Sequence, residues 1–237
     1  MSEATKTISL TTLLPHSSLS RKIWDNEELS KEVSSALLAI AKKFYESLGV
    51  TADISDIVIT GSMANFNYTD LSDIDLHIIL NFSKIDENVE LVREFMLAKK
   101  ALWNDRHEIT IKGHEVEVYV ENEGEPHYST GIFSVKNDKW IKQPTQIYGK
   151  LDIDLKKIKD KSSSIMQKIN RALRKKDIDM LNSIKDKIVN MRKTGLERGG
   201  AYSVENLVFK TIRMAGYLDK ISKSKTKIFD KSLSIEQ

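Results

Sequence analysis

The stretch GSMANFNYTDLSDIDLHIIL, residues 61–80, is the part of the sequence that decides the fold. It places a Gly-Ser pair ten residues ahead of Asp73-Ile74-Asp75, which opens an apolar run. In a β-strand alternate side chains point to the same face, so Asp73 and Asp75 are predicted to project together, about 7 Å apart along the strand. Because an unpaired carboxylate is costly to remove from water, positive charge is expected between them.

A divalent cation is the positive charge that this pair of acids predicts. Adjacent carboxylates repel each other unless a cation neutralises them, and ligation by oxygen alone suits Mg²⁺ or Mn²⁺. The spacing fits two ions about 3.5–4 Å apart that share carboxylate ligands. The chain contains no Cys, which excludes disulfides and cysteine-bound zinc, and its five His show no close pair at the spacing of metal ligands.

The sequence contains its own controls, because the letters Asp-Ile-Asp recur at residues 152–154 and 177–179 in helical surroundings. On a helix, side chains two residues apart diverge by about 200°, so these pairs cannot share an ion. They are predicted to be acids at helix starts or solvated charges.

The Gly61-Ser62 pair is predicted to lie between the end of a strand at residues 57–60 and the start of a short helix over residues 63–68. Free backbone N–H groups collect at such a junction, and Gly lets a phosphate come close. The Ser62 hydroxyl is open to two interpretations, a phosphate ligand or the N-cap of the helix.

The remaining pattern predicts an α+β fold with a helical C-terminal region. In the front half it predicts helices at residues 26–49 and from Asp86 or Asn88 to Trp103, a hairpin of residues 107–111 and 114–120, and a strand at 131–135. In the back half it predicts helix from 152 to 196 with a break near Asp177, a last helix over 204–221 capped by Ser203, and a loose tail after Ser222. The predicted domains are residues 1–143 and 144–237.

The composition indicates an ordinary globular protein, since 237 residues of which 40% are hydrophobic can bury a core. No run approaches the roughly 18 apolar residues of a membrane span. The first residues also lack the basic start and apolar core of a secretory signal. We therefore expect a cytoplasmic protein that does not enter a membrane.

Charge is divided unevenly along the chain, although the net charge is only +3. Residues 1–135 carry 12 Lys and Arg against 22 Asp and Glu, whereas residues 136–237 carry 25 against 12. An acidic half gathers cations and a basic half binds polyanions. The alternative is that the Lys-rich helices only present solvated faces.

The Gly61-Ser62 pair, the ten-residue gap and Asp73-Ile74-Asp75 together resemble the active-site signature of the DNA polymerase β superfamily of nucleotidyltransferases. The resemblance covers residues 57–120. It implies a polymerase β-like domain, with a mixed sheet flanked by helices, two Mg²⁺ ions, a nucleoside triphosphate and a third acid on a neighbouring strand. The stretches LTTLLPHSSLSRKIWDN, DRHEITIKGHEVEVYV and YSVENLVFKTIR also resemble small nucleotidyltransferase-like proteins of tailed bacteriophages. That narrower resemblance implies the host cytoplasm and no particular substrate.

The resemblance implies that the third acid is Glu117, because the apolar-acid-apolar pattern of the family fits VEV at residues 116–118 better than HEV at 114–116. Glu115 shares a strand face with Glu117 and remains an alternative; otherwise it is an exposed acid. The family more often has Asp here, and the extra methylene of Glu moves the carboxylate by about 1.5 Å.

The resemblance also implies that a helical second region brings a basic residue and a serine to the triphosphate. Lys210, with Arg213 near it, and Ser203 are the candidates in this chain. Each has a structural alternative, a solvated cation for Lys210 and a helix cap for Ser203.

Several rings in the sequence have both a binding and a packing interpretation. His77 continues the face of the two aspartates, but a lone His on a strand is expected to be packed or hydrogen-bonded rather than catalytic. Trp103, Trp140 and Tyr148 are candidates for stacking on a base, or else for packing within the protein.

The function predicted from these features is transfer of a nucleoside monophosphate from a nucleoside triphosphate, such as ATP, to an acceptor hydroxyl with release of pyrophosphate. The predicted metal ligands and catalytic residues are Asp73, Asp75 and Glu117, and the predicted nucleotide contacts are Gly61, Ser62, Ser203 and Lys210. The basic back half favours RNA, for instance tRNA, as the acceptor. Two alternatives stay open: a small-molecule acceptor of the antibiotic type, and a nucleotide- or RNA-binding module without turnover.

Overall fold

The computed structural model describes residues 10–127, 129–146 and 153–235. Within these ranges the chain forms two compact units, a first unit of residues 15–146 and a second unit of residues 10–14 and 153–235. Each unit has its own hydrophobic core. Residues 10–14 belong to the second unit, whereas the domains predicted from the sequence placed them in the first.

The first unit begins with a small hairpin and a helix. Strand β1 (Trp24–Asp25) pairs antiparallel with β2 (Glu28–Leu29), and α1 spans Lys31–Leu48. The buried face of α1 includes Leu37 and Phe44. The helix begins later than predicted because residues 24–29 form the hairpin.

A six-stranded mixed sheet forms the centre of the first unit. Its strands are β3 (Ile54–Thr60), β4 (Ile74–Leu80), β5 (Thr110–Ile111), β6 (His114–Asn122), β7 (Ile132–Ser134) and β8 (Lys139–Lys142). They lie in the order β5-β6-β4-β3-β7-β8. Strands β4 and β6 run parallel, joined through helix α2 (Val89–Arg106), and the other described neighbours run antiparallel.

Strand β4 alternates between the core and a polar face. Ile74, Leu76 and Ile78 are fully buried in the same hydrophobic cluster as α1 and α2. Because alternate strand residues point to opposite faces, Asp75 and His77 lie on the other face. The apolar residues of this alternation therefore anchor the strand in the core. The polar residues on the opposite face are available to form a site.

The predicted hairpin and the start of α2 are both confirmed. Lys112 and Gly113 join β5 to β6 with φ values of 50° and 84°, the conformation of the tight turn that matches strand twist. The Asn88 side chain accepts a 3.2 Å hydrogen bond from the Leu91 N–H and is the N-cap of α2. The strand predicted at residues 131–135 is β7, whereas β8 was not predicted.

The prediction of a helix over residues 63–68 is wrong, because this segment consists mainly of turns. The Met63 carbonyl accepts from the Trp24 indole N–H at 2.8 Å, and the Asn65 side chain accepts from the N–H of Phe66 at 2.8 Å. Side chains that bond to the local backbone compete with the helical hydrogen bonds. Ser62 is consequently not the N-cap of a helix.

The second unit consists mainly of four helices in its described residues: α3 (Leu155–Lys175), α4 (Ile178–Gly199), α5 (Val204–Met214) and α6 (Tyr217–Leu233). Asp154, Asp177 and Ser203 cap α3, α4 and α5 by accepting backbone N–H groups. The break near Asp177 and the helix-start acids are therefore confirmed, while Asp152 lies outside the described residues.

The prediction for the last helix is wrong in two respects. Gly216, with φ of 70°, separates α5 from α6, so residues 204–221 are not one helix. The tail predicted to be loose after Ser222 is helical as far as Leu233. Although this segment is polar, it is rich in Lys, which has a high helix propensity.

In the parts of the chain that the structure describes, no helix combines the length and the apolar composition needed to cross a membrane.

Candidate metal centre

Asp75 and Glu117 lie side by side on the parallel strands β4 and β6, where they are register partners. Neighbouring strands are about 4.8 Å apart, so acids in register on one face bring their carboxylates together. Both side chains are half-buried. The pairing arises from the β4–β6 register, which links residues 42 positions apart in the sequence.

Asp73 completes a group of three carboxylates, which we call the acidic triad. It immediately precedes β4, since the strand begins at Ile74 and not at Asp73 as predicted. One carboxylate oxygen from each of Asp73, Asp75 and Glu117 lies within 4.8 Å of the others. The convergence that the sequence predicted for the two aspartates is therefore present, and Glu117 joins them.

The acidic triad can hold a divalent cation. Oxygens around an Mg²⁺ ion are at most about 4.2 Å apart. The three carboxylate oxygens lie within 4.8 Å of one another, a distance that small movements of the side chains can close onto an ion. Three half-buried carboxylates at this distance repel one another, and a bound cation offsets that repulsion. Among the described residues no other group of three acids or histidines has such spacing.

Gly61 lies against the carboxylate of Asp75. A side-chain carbon at residue 61 would overlap Oδ2 of Asp75, and φ at this residue is 73°. The Gly61 N–H donates to Oγ of Ser129 at 3.2 Å. Gly is therefore required here for the close approach of the acid and for the backbone conformation, and the helix N-terminus expected at this point is absent.

Ser62 connects the turn after β3 to the segment that precedes Asp73. Its hydroxyl donates to Oγ of Ser72 at 2.8 Å, and the same Ser72 oxygen accepts from the Thr69 N–H at 2.9 Å. These bonds hold the end of the loop from which Asp73 projects.

Lys100 and Tyr119 adjoin the acidic triad, and neither was predicted from the sequence. The Tyr119 hydroxyl donates to Oε2 of Glu117 at 2.5 Å, and Nζ of Lys100 lies 3.6 Å from the centroid of the Tyr119 ring. The alternation along β6 places Tyr119 on the face of Glu117 and was a usable signal. No local pattern marks Lys100, which comes from α2.

Burial and charge shift the pKa values of these two groups in opposite directions. Burial lowers the pKa of Lys100 below its usual value, while the charges of Glu117 and Asp75 oppose this effect. Burial raises the pKa of Tyr119 far above its usual value, and Asp75 and Glu117 add to the increase. The phenol therefore remains a hydrogen-bond donor to Glu117.

His77 is packed and hydrogen-bonded, as the sequence analysis expected. Its Nε2 lies 3.0 Å from Oγ1 of Thr60, and its Nδ1 lies 2.7 Å from Oε1 of Glu121. His127 contacts the other oxygen of Glu121 at 3.1 Å. Burial alone would raise the pKa of Glu121, but the hydrogen bond to His77 and the charges of both histidines lower it overall.

Glu115 is not a member of the acidic triad. It is exposed, at the position before Val116 on β6. Partial burial and the neighbouring charges of Glu117, Asp73 and Glu108 raise its pKa. Glu115 thus adds negative potential near the site.

Ser203 and Lys210 are in the second unit, whereas the acidic triad is in the first. The Ser203 hydroxyl accepts from the Asn206 N–H at 3.3 Å and caps α5. Lys210 is partly buried on α5, and Arg213 is exposed. Their proposed contact with a nucleotide remains a prediction.

The two tryptophans proposed to stack on a base pack inside the first unit. Trp103 makes an edge contact with Phe44, with ring centroids 5.2 Å apart. Trp140 stacks on Trp24 at 4.8 Å. Tyr148 lies outside the described residues.

In comparisons with protein-family models, curated proteins and solved structures, nothing matched this chain. What the acidic triad can do is therefore inferred from its own geometry and chemistry.

Proposed function

We propose that this protein is a metal-dependent nucleotidyltransferase of polymerase β-like fold, which moves a nucleoside monophosphate from a nucleoside triphosphate to an acceptor hydroxyl and releases pyrophosphate. The observation that carries this proposal is the convergence of Asp73, Asp75 and Glu117 at the parallel strand pair. The Gly-Ser turn beside Asp75 supports it, because this is the sequence signature that resembles the superfamily.

The residues of the acidic triad have distinct roles in this proposal. Two Mg²⁺ or Mn²⁺ ions, when bound, would activate the attacking oxygen and neutralise charge on the leaving oxygen. Asp73 and Asp75 would hold both ions. Glu117 would hold the ion on the acceptor side, and its carboxylate would take up the proton of the acceptor hydroxyl.

The triphosphate is expected to contact the groups that surround the acidic triad. Lys100 supplies a half-buried positive charge, which is worth more against phosphate than an exposed one. Gly61 and Ser62 would contact the distal phosphates, with the Ser62 hydroxyl exchanging its bond to Ser72 for one to phosphate. The resemblance also offers Ser203 and Lys210 of the second unit as nucleotide contacts, and these two stay predictions from the sequence.

RNA is the acceptor that the charge distribution favours. Helix α3 alone carries eight Lys and Arg against one Asp, and most of these basic side chains are exposed. Basic surfaces gain affinity for nucleic acid by releasing counterions, so binding should weaken steeply as salt increases. The acidic front half instead favours a small cationic acceptor, which makes that the second candidate.

The test is incubation of the protein with each labelled nucleoside triphosphate, Mg²⁺ or Mn²⁺, and total RNA from a bacterium. We expect label to enter an RNA species with wild-type protein and with Asp70→Asn, because Asp70 is an exposed acid outside the acidic triad. Asp75→Asn should abolish labelling.

Other outcomes of this experiment separate the alternatives. Labelling of small cationic acceptors with no RNA binding at low salt would favour the second candidate. No labelling with any nucleotide, metal or acceptor class would contradict the enzymatic proposal. If no acceptor is labelled and Asp75→Asn still binds RNA or nucleotide, the protein is better explained as a binding module without turnover.

A further inference from the structure

Tyr119 engages one of the two carboxylate oxygens of Glu117. The two residues are separated by one position on β6 and therefore lie on the same face of the strand. The Tyr119 hydroxyl donates to Oε2 of Glu117 at 2.5 Å, the short end of the range for a hydroxyl donating to a carboxylate. Oε2 is thereby held toward the phenol.

The phenol ring is itself held in place by its neighbours. The imidazole of His77 stacks on it with centroids 4.6 Å apart and planes inclined by 10°. Thr60 and Glu121 fix that imidazole at its two nitrogens. Lys100 lies over the ring at 3.6 Å. Because these contacts fix the ring, the bond from Tyr119 favours an orientation of Glu117 in which Oε2 is turned to the phenol and Oε1 is left for an ion.

The number of oxygens that a carboxylate offers distinguishes one divalent cation from another. Mg²⁺ demands an octahedral shell and takes one oxygen from each carboxylate, whereas Ca²⁺ takes six to eight ligands and commonly binds a carboxylate through both oxygens. We infer that Tyr119 is a positioning residue that keeps Glu117 a one-oxygen ligand and thereby makes the acidic triad select Mg²⁺ and Mn²⁺ over Ca²⁺.

This inference rests on the cation site of the proposed function, but it does not require nucleotide transfer. It is tested without nucleotide, by measuring Mn²⁺ binding through its paramagnetic resonance and the affinities of Mg²⁺ and Ca²⁺ by displacement of Mn²⁺. Tyr119→Phe removes the hydroxyl and keeps the ring that packs on His77. Tyr45→Phe is the matched control, because Tyr45 lies on α1 and its hydroxyl donates to the carbonyls of Val50 and Ala52, away from the acidic triad.

In the wild type and in Tyr45→Phe we expect Mg²⁺ to bind more tightly than Ca²⁺. In Tyr119→Phe the ratio of the two affinities should move toward Ca²⁺ by about tenfold, the lower end of what outer-sphere partners contribute to metal sites. If Tyr119 had only a structural role, its loss would lower the affinities for both cations equally and leave their ratio unchanged. An unchanged ratio would therefore overturn the inference, whatever happens to the absolute affinities.

The wild-type protein provides a second measurement in case Tyr119→Phe fails to fold. Wild-type protein that binds Ca²⁺ as tightly as Mg²⁺ overturns the selectivity assigned to Tyr119, and a clear preference for Mg²⁺ supports it. Wild-type protein that binds no divalent cation would refute the cation site itself, and with it the proposed function. Normal cation selectivity without nucleotide transfer would refute the proposed function alone.

Discussion

Gly61 and the Asp75 carboxylate are in direct contact, so that any side chain at residue 61 would overlap Oδ2 of Asp75. The backbone imposes a second constraint, since φ of Gly61 is 73°. The first residue of the turn after β3 and the acid of β4 can therefore keep these positions only while residue 61 has no side chain.

Gly61→Ala is expected to displace Asp75 and to abolish divalent cation binding. The left-handed conformation alone should lower the free energy of unfolding by about 1–2 kcal/mol. Gly124→Ala is the matched control, because φ there is 83° and a Cβ would meet nothing within 4 Å. Mn²⁺ titration and thermal unfolding of both variants provide the measurement. Normal Mn²⁺ binding by Gly61→Ala would contradict the assigned contact.

Lys100→Met is expected to change metal binding and nucleotide binding in opposite directions. Removing a positive charge beside the acidic triad should tighten Mn²⁺ binding by about threefold to tenfold. The affinity for the complex of Mn²⁺ with a nucleoside triphosphate should fall, since Lys100 would face the phosphates. Lys99→Met is the control, because Lys99 bonds to the Ser47 carbonyl. Equal effects of the two substitutions would exclude the role given to Lys100.

Glu121 is expected to make stability depend on pH in the acid range. Its folded-state pKa lies below the ordinary value of 4.5, so the unfolded state binds more protons at that pH. The contribution of Glu121 is present above pH 4.5 and is lost as the pH falls through the lowered folded-state pKa. Denaturant unfolding at several pH values should show wild type more stable than Glu121→Gln above pH 4.5, with the difference closing at lower pH.

The exposed acid Glu123 provides the control for this measurement, as Glu123→Gln. A stability difference between wild type and Glu121→Gln that stays constant down to acid pH would show that the two histidines do not stabilise the Glu121 carboxylate.

Asp177→Ala is expected to destabilise the second unit without affecting cation binding. The Asp177 side chain accepts from the Met180 N–H at 2.9 Å, and loss of such an N-cap costs about 1 kcal/mol. Asp179→Ala is the control, since Asp179 lies inside the first turn of α4. Urea unfolding and Mn²⁺ titration of both variants test the statement. Weaker Mn²⁺ binding by Asp177→Ala would mean that this Asp-Ile-Asp copy also serves a cation.

Local sequence patterns determined several elements of this fold. The alternation from Ile74 to Leu80 predicts a strand with Asp75 and His77 on its polar face, because the side-chain period of a strand is two. Lys112-Gly113 predicts the hairpin turn, and Asp177 predicts the boundary between α3 and α4. In each case the residues that carry the signal are close in sequence, so a local pattern was enough to predict the element.

The tertiary structure decided the features that depend on distant residues. The Trp24 indole N–H donates a hydrogen bond to the Met63 carbonyl, and the helix predicted after Ser62 does not form. Helix α6 continues past Ser222 to Leu233, and its buried residues Tyr217 and Ile221 belong to the core of the second unit.

By itself, the sequence determined that Asp73 and Asp75 stand together at the start of a buried strand. The resemblance favoured Glu117 over Glu115 as the third acid, and the tertiary structure brings Glu117 to the two aspartates. Only the tertiary structure surrounded them with Lys100 and Tyr119. Strand register and helix packing are set by contacts between segments far apart in the chain, which no local period records.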